Sequence, residues 1–198
     1  MMHSIRFLPV LIAFAAGAAV AASSAAAPDF ALTDSTGRTV KLSDYRGKYV
    51  VLEWTNPECP FVRKHYDSGN MQGLQKEWGA QDVVWLAINS TNQSSSEYKS
   101  PQQMGAWIRA KDAAPKATLI DGTSATGRAY GAKTTPHMFV VAPDGDVIYR
   151  GAIDDRRTSN PADAKAANNY VRAALTEALA GKPVSVASAT PYGCSVKY

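Results

Sequence analysis

Residues 48–62 read Lys-Tyr-Val-Val-Leu-Glu-Trp-Thr-Asn-Pro-Glu-Cys-Pro-Phe-Val, and the order of residue types within them decides the architecture. Lys48 to Thr55 is a β-branched and aromatic run of the kind a buried strand requires, broken by one carboxylate, Glu53. Pro60 stands where a helix accepts proline at its first position, because the missing N–H would find no intrahelical partner there. The apolar spacing then runs helically through Tyr66, Leu74 and Trp78. Cys59 is thereby placed between a strand and a helix start, where backbone N–H groups and the helix dipole favour an anion and hence a reactive thiolate. The alternative for this residue type is a buried, inert thiol.

Outward from this unit, strands and helices alternate. On the N-terminal side, Phe30-Ala31-Leu32 and Val40-Lys41-Leu42 flank the turn Asp34-Ser35-Thr36-Gly37 and predict a small hairpin. On the C-terminal side, Val83 to Ile88 reads as a second buried strand, followed by the polar loop Asn89 to Ser100. A helix over Pro101 to Ala110, a short strand Thr118-Leu119-Ile120 and a helix over Thr123 to Tyr130 follow. Met138 to Ala142 and Val147 to Ala152 are joined by Pro143-Asp144-Gly145-Asp146, a turn that makes them antiparallel. Pro161 to Ala180 is Ala-rich, carries a Val171/Leu175/Leu179 stripe and predicts one helix closed by Gly181 and Pro183. The last residues, Val184 to Tyr198, show no periodicity. The expected fold is therefore α/β: a central mixed β-sheet with helices on both faces, an N-terminal β-hairpin and a C-terminal tail.

Composition narrows the function classes. The chain has 198 residues, 21 Lys+Arg against 17 Asp+Glu, and two cysteines. Hydrophobic residues make up 45%, enough to fold around a core without staples. Two cysteines are too few for a disulfide scaffold or an all-cysteine zinc site. The basic residues are scattered, and their densest cluster, Arg63-Lys64-His65, reads as a solvated helix face rather than a nucleic-acid footprint.

The N-terminus has its own grammar. One positive side chain, Arg6, precedes an uncharged run of 22 residues from Phe7 to Pro28, apolar at first and then Ala, Gly and Ser. Small residues around Ala19-Val20-Ala21 and Ser23-Ser24-Ala25 offer cleavage sites, the layout of a secretory leader. An uncleaved membrane anchor is the other reading of such a run, but its second half inserts weakly. The expected division is a leader over 1–26, cleaved between Ala21 and Ala26, a domain over 28–182 and a tail over 183–198 bearing Cys194. Such a chain is periplasmic or secreted, is not held in a membrane after cleavage, and lives where thiols can oxidise.

Motifs spread along the mature chain carry a resemblance. Gly37, Leu42, Asp44-Tyr45-Arg46-Gly47-Lys48, Glu53-Trp54, Cys59-Pro60, Tyr130-Gly131, Thr135-Pro136 and Pro143-Asp144-Gly145, in that order, resemble the redoxin (alkyl hydroperoxide reductase/thiol-specific antioxidant-like) branch of the thioredoxin superfamily. Cys59-Pro60-Phe61-Val62 with the tail Gly193-Cys194-Ser195-Val196-Lys197-Tyr198 is similar to its peroxiredoxin-like group. The resemblance implies a thioredoxin-like fold, a cis Pro136 packed beside Cys59, and Cys194 as a resolving thiol. Departures matter too. Val62 stands where thioredoxins carry a second cysteine, and Leu52 and Asn56 stand where typical peroxiredoxins carry proline and Thr or Ser. Their peroxide-activating arginine would fall on Pro136.

The expectation is an exported thiol–disulfide oxidoreductase, with Cys59 attacking a disulfide or a peroxide and an external thiol reductant restoring it. Thr135 and Pro136 shape the groove beside the sulfur, and Asn56 or Thr55 donates hydrogen bonds to substrate. Glu53 either relays the proton of the thiol or faces water at the strand end. The competing class is a binding module whose Cys59–Cys194 bond is structural, since closing so long a loop stabilises a chain by roughly 5 kcal/mol. His137 reads as a base facing Cys59 or half of a Cys/His metal site like that of redoxin-like copper carriers. Those carry a second nearby cysteine, so no metal and no cofactor is assigned. His65 is expected on the surface, Asp154-Asp155-Arg156-Arg157 as a solvated charged loop, and the four tryptophans in the core.

Overall fold

A computed structural model describes residues 25–198. The expected leader, apart from Ala25 and Ala26, lies outside the described residues. In chain order the elements are β1 (Ala25–Ala26), β2 (Ala31–Asp34), β3 (Thr39–Lys41), β4 (Val50–Trp54), α1 (Pro60–Asp67), α2 (Asn70–Gly79), β5 (Val84–Asn89), α3 (Pro101–Ala110), β6 (Ala117–Ile120), α4 (Ala125–Tyr130), β7 (Thr134–Thr135), β8 (His137–Val141), β9 (Asp146–Gly151), α5 (Tyr170–Leu179) and β10 (Cys194–Ser195). Two 3₁₀ turns, Leu42–Tyr45 and Pro161–Ala166, complete the list.

Eight strands form one mixed sheet in the order β1-β9-β8-β4-β5-β6-β2-β3, with β4, β5 and β6 mutually parallel. β4 is central and buried on both faces, which is why its sequence is a nearly continuous apolar run instead of an alternation. Alternate residues still serve different layers. Val51 packs with α1, α2 and α5 through Val62, Tyr66, Leu74, Val171 and Leu175. Val50, Leu52 and Trp54 face the other layer, where Phe30, Leu42, Tyr130 and Phe139 gather. Each fully buried large side chain among these contributes on the order of 1.5–3 kcal/mol by leaving water, and Tyr130 is partly buried.

Two expected helices are each divided. The helical run from Pro60 breaks at Ser68 and Gly69, so α1 and α2 are separate elements. The Ala-rich stretch starts as the 3₁₀ turn at Pro161, and α5 begins at Tyr170, because the Asn169 side chain accepts the Arg172 N–H and caps a new helix. Trp54, Trp78 and Trp85 are core residues, while Trp107 is half-buried against the Tyr66 ring, 4.4 Å between centroids. Among the described residues, no helix is long and apolar enough to cross a membrane.

Candidate active site

The turn after β4 is wound by one side chain. Asn56 Oδ1 accepts the Glu58 N–H at 2.9 Å and the Asn56 carbonyl accepts the Cys59 N–H at 3.1 Å, delivering Cys59 as the N-cap of α1. Asparagine suits this position because its amide mimics a backbone turn. Cys59 is 1% exposed, so its chemistry depends on what faces it inside the protein. What faces it is the peptide of Thr135, whose carbonyl oxygen lies 2.9 Å from Cys59 Sγ and accepts from the thiol. The Thr135–Pro136 bond is cis, as the family resemblance implies.

The tail returns to the same peptide. It first runs beside β9, with Arg150 N–H donating to the Ala187 carbonyl at 3.1 Å and Ala189 N–H to the Arg150 carbonyl at 3.2 Å. It then forms β10, antiparallel to β7, with Cys194 opposite Thr135 and Ser195 opposite Thr134. Two glycines permit this approach. A Cβ on Gly193 (φ +136) would stand 2.0 Å from the Thr135 oxygen, and one on Gly151 (φ +142) 1.9 Å from the Ala189 oxygen. Beyond β10, Lys197 pairs with Glu97 at 3.3 Å, Asn92 N–H donates to the Lys197 carbonyl at 2.7 Å, and the Arg128 guanidinium lies 4.6 Å from the Tyr198 ring centre.

Cys59 and Cys194, far apart in sequence, thus both lie against Thr135, and both are free thiols. Burial first, then the neighbouring Cys59, pushes the Cys194 thiol up to about 12. Cys194 is accordingly kept protonated beside its partner.

Glu53 takes a different place. It is fully buried and points into the helical layer, where Tyr66 Oη–H donates to Oε1 at 2.8 Å and Trp85 Nε1–H to Oε2 at 2.8 Å. Gln75 adds a longer contact of 3.4 Å. Burial raises its pKa, and hydrogen bonds from Trp85 and Tyr66 oppose that. Neither cysteine is among its hydrogen-bond partners. The Asn56 amide N–H group is likewise engaged, donating to Glu97 Oε2 at 2.9 Å.

A buried polar cluster, invisible to sequence reading, joins α1 to the tail. Lys64 is 0% exposed, and its Nζ lies 3.3 Å from Asp154 Oδ2 and 3.2 Å from Tyr192 Oη, with the Arg156 carbonyl as a further acceptor. Tyr192 donates to Asp154, and the Phe61 ring packs edge-on against it. His65 is also buried, with Nε2 3.3 Å from Tyr192 Oη and Nδ1 2.9 Å from the Asn70 amide. Burial first, then the Lys64 charge, lowers the His65 pKa to about 3, so this imidazole is neutral. The expected surface histidine and solvated loop are therefore interior at His65 and Asp154, since a buried lysine ammonium needs a carboxylate. The partners lie 90 positions apart, so no local pattern announces them. His137 faces away from Cys59, with its ring against Phe139 in the opposite layer. Among the described residues, no group of three or more His, Cys, Asp or Glu side chains is placed to hold a metal.

Comparison with known proteins gives consistent relatives. The model of a family described as AhpC/TSA matches residues 24–150. The thiol-disulfide oxidoreductase ResA of Geobacillus kaustophilus is 31% identical over 136 residues, covering 65% of this chain and 68% of the relative. The crystal structure of an uncharacterized conserved protein from Geobacillus kaustophilus superposes with a TM-score of 0.78 at 30% identity, over 88% of this chain and 91% of the other. That of a putative thiol:disulfide interchange protein DsbE from Chlorobium tepidum gives 0.52 at 26% identity, over 72% and 90%.

Proposed function

The chain belongs to the AhpC/TSA family, and from that footing we propose that it is an exported thiol–disulfide oxidoreductase whose working pair is Cys59 and Cys194. The observation that carries the proposal is the convergence of both cysteines on one peptide, Thr135, from opposite ends of the chain. A purely structural tail anchor would not require one of its sulfurs at the start of a helix beside the cis-proline loop.

The Cys59 thiolate attacks one sulfur of a substrate disulfide; a new S–S bond forms, and the substrate's other sulfur leaves as a thiolate that takes up a proton. Cys194, held as a thiol until then, attacks Cys59 Sγ and passes its proton to the second substrate sulfur as that sulfur's bond to Cys59 breaks. The second substrate sulfur is released, the substrate ends as two thiols, and the protein ends with a Cys59–Cys194 disulfide. An external thiol reductant reverses the oxidation. Pro136 and Thr135 hold the backbone on which both sulfurs meet, and Asn56 winds the turn that delivers Cys59. Glu53, buried with a raised pKa, belongs to the scaffold beneath α1. Disulfides are favoured over peroxides as substrates because the relatives ResA and DsbE are named for thiol–disulfide chemistry.

Export rests on the leader-like first residues, and the named ResA and DsbE relatives support the choice of reaction. The test is a trap. Offered a small-molecule disulfide, Cys194→Ser is expected to accumulate a mixed disulfide at Cys59, seen as a mass increase on that peptide. A Cys194→Ser protein that stays unmodified under conditions where wild type oxidises would sink the proposal.

A further inference from the structure

On the sheet face opposite Cys59, a groove of about 410 Å³ opens between β8, β9 and the tail. Its size suits a small organic molecule. Phe139 and Tyr130 give it an apolar floor, and Ser188 to Pro191 form one wall. Two cations line it, Lys133 and Arg150, both exposed, and neither forms an ion pair among the described residues.

Between them stands His137, itself 5% exposed. Its Nδ1 accepts the Lys133 backbone N–H at 3.2 Å, which fixes the proton of the neutral ring on Nε2. Nε2 has no hydrogen-bond partner among the described residues, yet it is not sealed from solvent, so its N–H is offered to the groove. Burial first, then the charges of Lys133 and Arg150, depress this imidazole to about 4, so near neutral pH it is an uncharged donor flanked by two positive charges.

We propose that this groove is a binding site for a small organic anion, its carboxylate or phosphate held by Arg150, Lys133 and His137 Nε2–H and its apolar body lying on Phe139 and Tyr130. A guanidinium offers paired donors to such a headgroup, an ammonium adds a point charge, and the neutral imidazole donates without further like-charge repulsion. The site is independent of the redox reaction and stands whether or not the cysteine pair turns over. One wall is the strand of tail that leads into Cys194, so the occupant also rests against the segment that carries the second thiol.

The experiment is an NMR titration of the His137 ring in the whole protein, with sodium succinate in one arm and inorganic phosphate in the other, at constant ionic strength. A saturable shift of the Nε2–H signal with Kd of about 1 mM or tighter is expected for at least one probe, and the successful probe identifies the headgroup. An occupied site also moves the His137 titration upward, because an anion stabilises the imidazolium. Arg150→Gln and Lys133→Gln, both exposed substitutions that leave the fold intact, should each weaken binding by about tenfold or more. Failure of both probes to saturate, or saturation that is unchanged in Arg150→Gln, overturns the site.

Discussion

Cys59→Ser is expected to exchange disulfides at the rate of protein-free solution, a loss of all catalysed turnover, while its fold and melting behaviour under reducing conditions stay close to wild type. A serine hydroxyl does not ionise near neutral pH, and the thiolate, not the thiol, is the nucleophile. The side chain is small and its one hydrogen bond, to the Thr135 carbonyl, can be made by the serine hydroxyl as well. Cys194→Ser separates the two half-reactions: Cys59 still reacts once, but the mixed disulfide is not resolved and cycling stops. Steady-state and single-turnover rates with a chromogenic disulfide check both variants. Equal turnover by wild type and Cys59→Ser would remove the assignment of Cys59.

Asp154→Ala is expected to carry the largest stability cost, about 3–5 kcal/mol, because it leaves the ammonium of a fully buried lysine without its carboxylate. For a chain of this size that lowers the melting temperature by roughly 10 °C. The tail is affected along with the core, since Asp154 also accepts from Tyr192, two residues before Cys194. The double variant Lys64→Met/Asp154→Leu removes both charges and should recover most of the loss, as apolar replacement of a buried pair often does. Urea denaturation of wild type and the two variants decides the matter: a single variant within about 1 kcal/mol of wild type would show that Lys64 finds compensation elsewhere.

The parts of this molecule that follow local rules are legible in its sequence. The strand ending at Trp54, the proline at the start of α1, and the Pro143-Asp144-Gly145-Asp146 turn between β8 and β9 stand where periodicity and turn chemistry put them. Placing Cys59 at a helix start needed only those rules. The pairing of β10 with β7 did not follow from them, because Val184 to Tyr198 has no periodicity and its seat is made by Gly151 and Gly193, whose missing Cβ atoms matter only against distant backbone. The tail motif pointed to a partner for Cys59 through resemblance alone. Lys64 and His65 misled for a physical reason: a basic pair on a short helix is normally solvated, but the carboxylate that takes Lys64 inside comes from a loop after β9, and His65 enters as a neutral imidazole held by Tyr192 and Asn70. Glu53 was legible as an anomaly in an apolar strand, but its direction became clear only with Tyr66, Trp85 and Gln75 around it.

The central claim is that Cys59 and Cys194 exchange electrons with external thiols instead of locking the tail down. The most direct measurement is mass spectrometry of the alkylated protein across a thiol redox titration. The expected result is one two-electron transition, a Cys59–Cys194 linked peptide in the oxidised form, and a midpoint more oxidising than about −300 mV. A midpoint below about −300 mV would mark a structural bond, and the absence of a linked peptide would contradict the pairing itself.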